Sequence, residues 1–110
     1  MKLEIKKRWL EALRSGEYEQ GKDVLRRNDS FCCLGVLCDI FAKEGCSKWD
    51  EPDDKGVRHI ENDKGALPLC VVLWSGIKDG NPFIDGYSLS AWNDGGKSFK
   101  EIADIIEKEL

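Results

Sequence analysis

The sequence contains a single histidine, His59, no excess of basic residues and no long apolar run. Each absence narrows the functions open to it. With one histidine, a cysteine dyad would have to use His59, with Asn62 or Asp63 as its orienting partner. The net charge of −4 argues against a protein that coats duplex nucleic acid, because such binding rests on many Lys and Arg contacts to phosphate. No segment approaches the roughly 20 apolar residues needed to span a bilayer. The residues following Met1 are charged from Lys2 onward, unlike the apolar segment of a signal peptide. The expected location is therefore the cytoplasm, with no membrane partner.

Cysteine pairs at metal-ligand spacing are also missing. Cys33 and Cys38 are too far apart for the usual pair, and Cys46, His59 and Cys70 are scattered, so neither a metal nor a cofactor is expected. Five cysteines, with Cys32 and Cys33 adjacent in an apolar stretch, do not read as a secreted disulfide framework. They are expected to be reduced. No repeat or low-complexity segment is present.

What is there describes one globular domain. A chain of 110 residues, 41% hydrophobic with four Trp and four Phe, buries enough surface to fold alone. Ile5, Trp9, Leu10 and Leu13 recur at helical spacing between Lys2 and Ser15, and Gly16 follows where a left-handed cap would fall. Asn28-Asp29-Ser30 offers cap chemistry for a second helix, about Phe31 to Lys43, which is apolar almost all the way round and so reads as the central helix. Within it, Gly35 invites close approach of another backbone, expected to be the Trp92-Asn93-Asp94 turn, and Asp39 needs a partner. Pro68 suits the start of a third helix ending at Gly76. Ser98-Phe99-Lys100-Glu101 is a capping box opening a last helix with Phe99, Ile102, Ala103, Ile106 and Leu110 on its buried stripe. The fold expected is mainly α, three to four helices around residues 31–43, with a small hairpin near Arg58 or Phe83.

Three sets of residues could carry chemistry. Cys32 or Cys33 at a helix N-terminus, with His59, could form a cysteine hydrolase, but apolar neighbours raise a thiol pKa and cysteine is commonly buried. Trp92, Asn93 and Asp94 combine a stacking face with hydrogen-bonding groups suited to a polar ring, although a structural role in a Gly-rich turn explains them as well. Arg26, Arg27 and Arg58 could converge on an anion, or pair with Asp39 or the acidic loop around Asp53.

The segments ALRSGEYEQG, VLRR, FCCLGVLCDIF and LSAWNDGGKSFKEIADIIEKEL resemble small proteins of unknown function encoded by tailed bacteriophages and prophages. More distantly, the chain is similar to bacterial proteins of unknown function sharing a Trp/Tyr-x-Gln-Gly turn, a Cys-x-x-Gly-x-Leu helix and a Trp-Asn-Asp turn before a final helix. The resemblance implies an origin, and small accessory phage proteins often bind a component of the host. One such class sequesters nucleotide-derived immune signals in homo-oligomers. On that implication the expected ligand is a small nucleotide, held by Tyr18, Gln20, Arg26, Arg27, Arg58, Trp92, Asn93 and Asp94 without catalysis. A host protein, docked on the acidic surface, is the other partner considered.

Overall fold

The computed structural model describes residues 1–45 and 47–110. Cys46, one of the scattered thiols weighed above, lies outside them.

Helix α1 (Leu3–Arg14) turns Ile5, Trp9, Leu10 and Leu13 inward, and Gly16 follows at φ +78. Helix α2 (Cys33–Lys43) is buried without interruption from Cys33 to Phe41, so it has no solvent face through most of its length. The Trp9 indole donates to the Cys33 carbonyl at 3.0 Å, fixing α1 against the start of α2. Helix α5 (Phe99–Glu109) begins with the complete capping box and buries Phe99, Ile102, Ala103 and Ile106. It packs beside α1, where Arg14 reaches Asp104 at 2.8 Å and Glu107 at 3.3 Å.

Among the described residues five helices are present, against the three to four expected. The remaining two are α3 (Leu69–Ser75), preceded by Pro68 and stopped by left-handed Gly76, and the short α4 (Leu89–Asp94). The architecture is mixed, because two small sheets accompany the helices. Strands β1 (Glu19–Gln20), β2 (Arg26–Arg27) and β3 (Ser30–Phe31) form one sheet in the order β1-β3-β2, with β1 parallel and β2 antiparallel to β3. Strands β4 (Phe83–Ile84) and β5 (Tyr87–Ser88) form the hairpin expected near Phe83. Its two-residue turn uses Asp85 and Gly86, both at positive φ, as a tight antiparallel connection requires. Near Arg58 there are only isolated bridges, Arg27 with Val57 and Ile60 with Asp63.

Three local expectations are corrected. Asn28 and Asp29 cap no helix but turn the chain between β2 and β3, and Cys32 is the N-cap of α2, its sulfur accepting from the Gly35 N–H at 3.4 Å. Trp92-Asn93-Asp94 is the last turn of α4 and not a loop. The surface of Gly35 receives the backbone of Leu25: a Cβ on Gly35 would lie 1.9 Å from the Leu25 carbonyl oxygen. No helix among the described residues is long and apolar enough to cross a membrane.

Candidate functional site

The residues singled out in the sequence divide among separate places. Gln20 and Asp94, both half-buried, come together on Asn93. Asn93 is fully buried, and its Oδ1 accepts from Gln20 Nε2 at 2.9 Å and from the Cys33 N–H at 3.2 Å. Its Nδ2 donates to the Gly21 carbonyl at 2.8 Å and to Asp94 Oδ1 at 3.1 Å. An amide supports two donated and two accepted bonds of good geometry, and Asn93 spends all four on the protein. The Cys33 N–H is one of the first-turn donors of α2 that no helical carbonyl reaches, so Asn93 supplies from α4 a partner for it beside the local cap that Cys32 gives the Gly35 N–H. Asp94 Oδ1 also accepts from the Asp23 N–H at 3.1 Å, and Asp23 is left-handed at φ +73.

Tyr18 belongs to a second cluster. Its hydroxyl donates to Asp39 Oδ2 at 2.6 Å, the Trp49 indole donates to Asp39 Oδ1 at 3.0 Å, and Lys43 Nζ lies 3.3 Å from Oδ2. These are the partners that buried Asp39 requires. Burial first, and the bond to Asp39 second, push the Tyr18 phenol above its ordinary pKa.

Arg26 and Arg58 are engaged within the fold, the Arg58 N–H donating to the Arg26 carbonyl at 3.0 Å, whereas Arg27 is exposed. Arg26 donates to Asp29 at 2.8 Å and to the Asn28 carbonyl at 2.6 Å, and its guanidinium carbon sits 4.8 Å from the Phe31 ring centroid and 5.5 Å from that of Trp49. Arg58 Nε donates to the Asp50 carbonyl at 2.8 Å, and Arg27 projects into solvent from β2. Arg58 thus reaches the acidic loop before Asp53 through a backbone carbonyl, and Arg26 pairs with Asp29 in place of Asp39.

Two of the predicted ligand residues line open hollows: Tyr18 borders one of about 340 Å³ together with Arg8, Ile40 and Lys43, and Trp92 lines the cleft that carries an aromatic face beside glycine backbone. The Trp92 indole N–H is occupied by the Ile84 carbonyl at 2.9 Å, which fixes the ring, and Tyr87 meets it edge to face with centroids 5.0 Å apart. The cleft, of about 420 Å³, is walled by Tyr87, Trp92, Gly95, Gly96, Lys97 and Glu101. That volume falls within the roughly 300–1,000 Å³ of small-molecule pockets. A larger hollow of about 510 Å³ beside Ser47, Lys48 and Glu61 has no aromatic wall, so it offers no face for a ring. The sequence marks neither Tyr87 nor Lys97, and marks Glu101 only as part of the capping box. The turn residues around Gly95 and Gly96 pointed to the region, but only the fold brings the hairpin and the start of α5 to the same ring.

The cysteine dyad finds no geometric support. Cys32 and Cys33 are buried, no hydrogen bond joins either to His59 among the described residues, and Cys33 Sγ donates to the Leu89 carbonyl at 3.6 Å. Burial pushes the Cys32 thiol up to about 11 and raises Cys33 and Cys38 well above the ordinary thiol range. At pH 8 a thiol-alkylating reagent should therefore label half-buried Cys70 well before Cys32, Cys33 or Cys38. Peptide mapping after timed alkylation checks this order, and rapid labelling of Cys32 or Cys33 in the folded protein would reverse the assignment.

No curated protein and no solved structure matches the chain. The family match covers residues 1–110, the whole sequence, and the chain therefore belongs to the family described as a domain of unknown function (DUF8296).

Proposed function

We propose that the protein is a non-catalytic binding protein that holds the planar ring of a nucleotide-type ligand on Trp92. In this reading it acts in the cytoplasm of a bacterial host as a phage-encoded counter-defence sponge, most simply as a homo-oligomer. The observation that carries the proposal is the Trp92 face itself. Its ring is held rigidly by the bond to Ile84, bordered by Tyr87 at 57% exposure, and approached by glycine backbone at positions 95 and 96. A fixed aromatic face stacks on a flat ligand with little conformational entropy to lose. Binding without turnover also agrees with thiols whose burial disfavours the thiolate a hydrolase needs. The phage role rests on the sequence resemblance described above.

Native mass spectrometry of the purified protein with a panel of cyclic and linear nucleotides, followed by heat release, tests the proposal. An unchanged nucleotide released in fixed ratio to the protein supports it. A converted product would make the protein an enzyme. If nothing binds, a host protein becomes the leading partner, a second reading favoured by Leu69 and Leu73, which stand one helical turn apart on α3 at 71% and 68% exposure.

A further inference from the structure

The Trp92 cleft contains one cation and one carboxylate, and their anchoring differs. Lys97 is fixed at its root. Its N–H donates to the Trp92 carbonyl at 3.2 Å and its carbonyl accepts from Gln20 Nε2 at 2.8 Å, the same amide nitrogen that donates to Asn93. Gly96, at φ +106, turns the chain immediately before it, in a region that favours glycine. From that fixed root the side chain carries Nζ to 5.9 Å from the Trp92 ring centroid and 3.6 Å from Glu101 Oε2. The Lys97 and Glu101 side chains are 44% and 55% exposed, and exposed pairs of this kind hold weakly against competition. Glu101 is further committed elsewhere: its Oε1 accepts from the Ser98 N–H at 3.1 Å in the capping box, and that bond lowers its pKa. Glu101 is thus retained by the backbone while the Lys97 ammonium remains free to change partner.

Of the arginines expected to read an anion, Arg26 is engaged on Asp29, Phe31 and Trp49 and Arg58 on the Asp50 carbonyl, and none of the three lines this cleft. Lys97 is the cation that lines the cleft among the described residues. Building on the Trp92 reading, we infer that Lys97 is the specificity-determining residue of the cleft, selecting a planar ligand that bears an anionic group, such as a phosphate or carboxylate, and disfavouring a cationic one. An anion at the ring's edge gains a charge-assisted bond as the ammonium turns from Glu101. A cation on the same face must displace the ammonium that already covers it.

The test uses the full-length protein labelled with ¹⁵N, titrated with adenosine and with adenosine 5′-monophosphate while the four tryptophan indole signals are followed. Wild type should bind the monophosphate about tenfold more tightly than adenosine, the scale of one charge-assisted contact. That preference should shrink as salt is added. In Lys97→Gln the preference should fall to about twofold or less, with adenosine affinity and melting temperature near wild type, because the exposed Lys97 side chain supports no buried contact. A preference left unchanged in Lys97→Gln, with the Trp92 indole still responding, would overturn the role of Lys97 and leave the ring site standing. Failure of both probes to move the Trp92 indole in wild type would overturn the ring site and the inference with it.

Discussion

Gly35→Ala should destabilise the protein by about 3 kcal/mol or more, at the upper end of overpacking effects in cores. The change adds one methyl group to a helix, where alanine is ordinarily the better residue by about 1 kcal/mol. Here the methyl would stand 1.9 Å from the Leu25 carbonyl oxygen and 2.8 Å from its carbon. The oxygen cannot move aside without cost. It accepts the Cys32 N–H at 3.1 Å, the Leu25 N–H donates to the Lys64 carbonyl at 2.6 Å, and the Leu25 side chain is fully buried. Relief therefore requires shifting either the strand region before β2 or the central helix itself. For a domain of this size the melting temperature should fall by more than about 10 °C. Gly65→Ala provides the comparison, since nothing lies within 4 Å of its added methyl and its φ is not positive. It should stay within about 0.5 kcal/mol of wild type. Thermal melts of both variants decide the matter, and a Gly35→Ala or Gly35→Leu protein that melts like wild type would show that the close approach of Leu25 is unimportant.

The second large effect concerns Asn93. Asn93→Leu keeps the volume but leaves the Cys33 N–H and the Gly21 carbonyl without partners in the interior. At about 1–3 kcal/mol for each unsatisfied buried group, the loss should be about 4 kcal/mol. Asn93→Asp is more revealing, because it exchanges only the Nδ2 group for an oxygen. That oxygen would face the Gly21 carbonyl and the Asp94 carboxylate, two acceptors, in a site with no exposure to water. Only the protonated acid could donate there, so the folded-state pKa of the introduced carboxyl is raised above its unfolded value of about 3.9. A raised pKa means the folded protein holds the proton more tightly, so the stabilising contribution is complete below about pH 4 and is lost as pH rises through the folded pKa. Measured against wild type by denaturant unfolding, Asn93→Asp should therefore be less defective at pH 4 than at pH 7. An equal defect at both would mean that water reaches the site and solvates the charge.

These two residues also show how far local sequence extends. The apolar stripe of α1, the capping box of α5 and the Asp85-Gly86 hairpin were legible because each depends on residues a few positions apart. The continuous burial of α2 followed from its lack of a polar face, and Asp39's need for partners from its isolation among apolar neighbours. Gly35 was recognisable as a point of close approach, but its neighbour was assigned to Trp92-Asn93-Asp94, when Leu25 fills it. Local sequence puts the start of α2 too early because Asn28 and Asp29 have both cap and turn chemistry, and pairing of β2 with β3 decides for the turn.

For the candidate site, Trp92 was legible as an aromatic next to a Gly-rich turn, whereas the use of Asn93 was not. Its partners Gln20, Gly21 and Cys33 lie 73, 72 and 60 residues away, too distant for any local pattern to reveal. The same holds for Arg26, whose stacking on Trp49 requires the sheet and the loop after α2 to meet.

By itself, the sequence determined where helices begin and end in α1, α3 and α5, which helix is central, and that glycines follow Trp92-Asn93-Asp94, but not that these three residues close helix α4. Those properties come from backbone propensity, capping and hydrophobic period, which act over about one helical turn. Only the tertiary structure decided which polar groups are consumed by the fold and which stay at the surface. Asn93, Gln20 and Arg26 are consumed, while the Trp92 ring and the Lys97 ammonium remain at the surface, because hydrogen-bond satisfaction is settled by whatever the folded chain brings within about 3 Å.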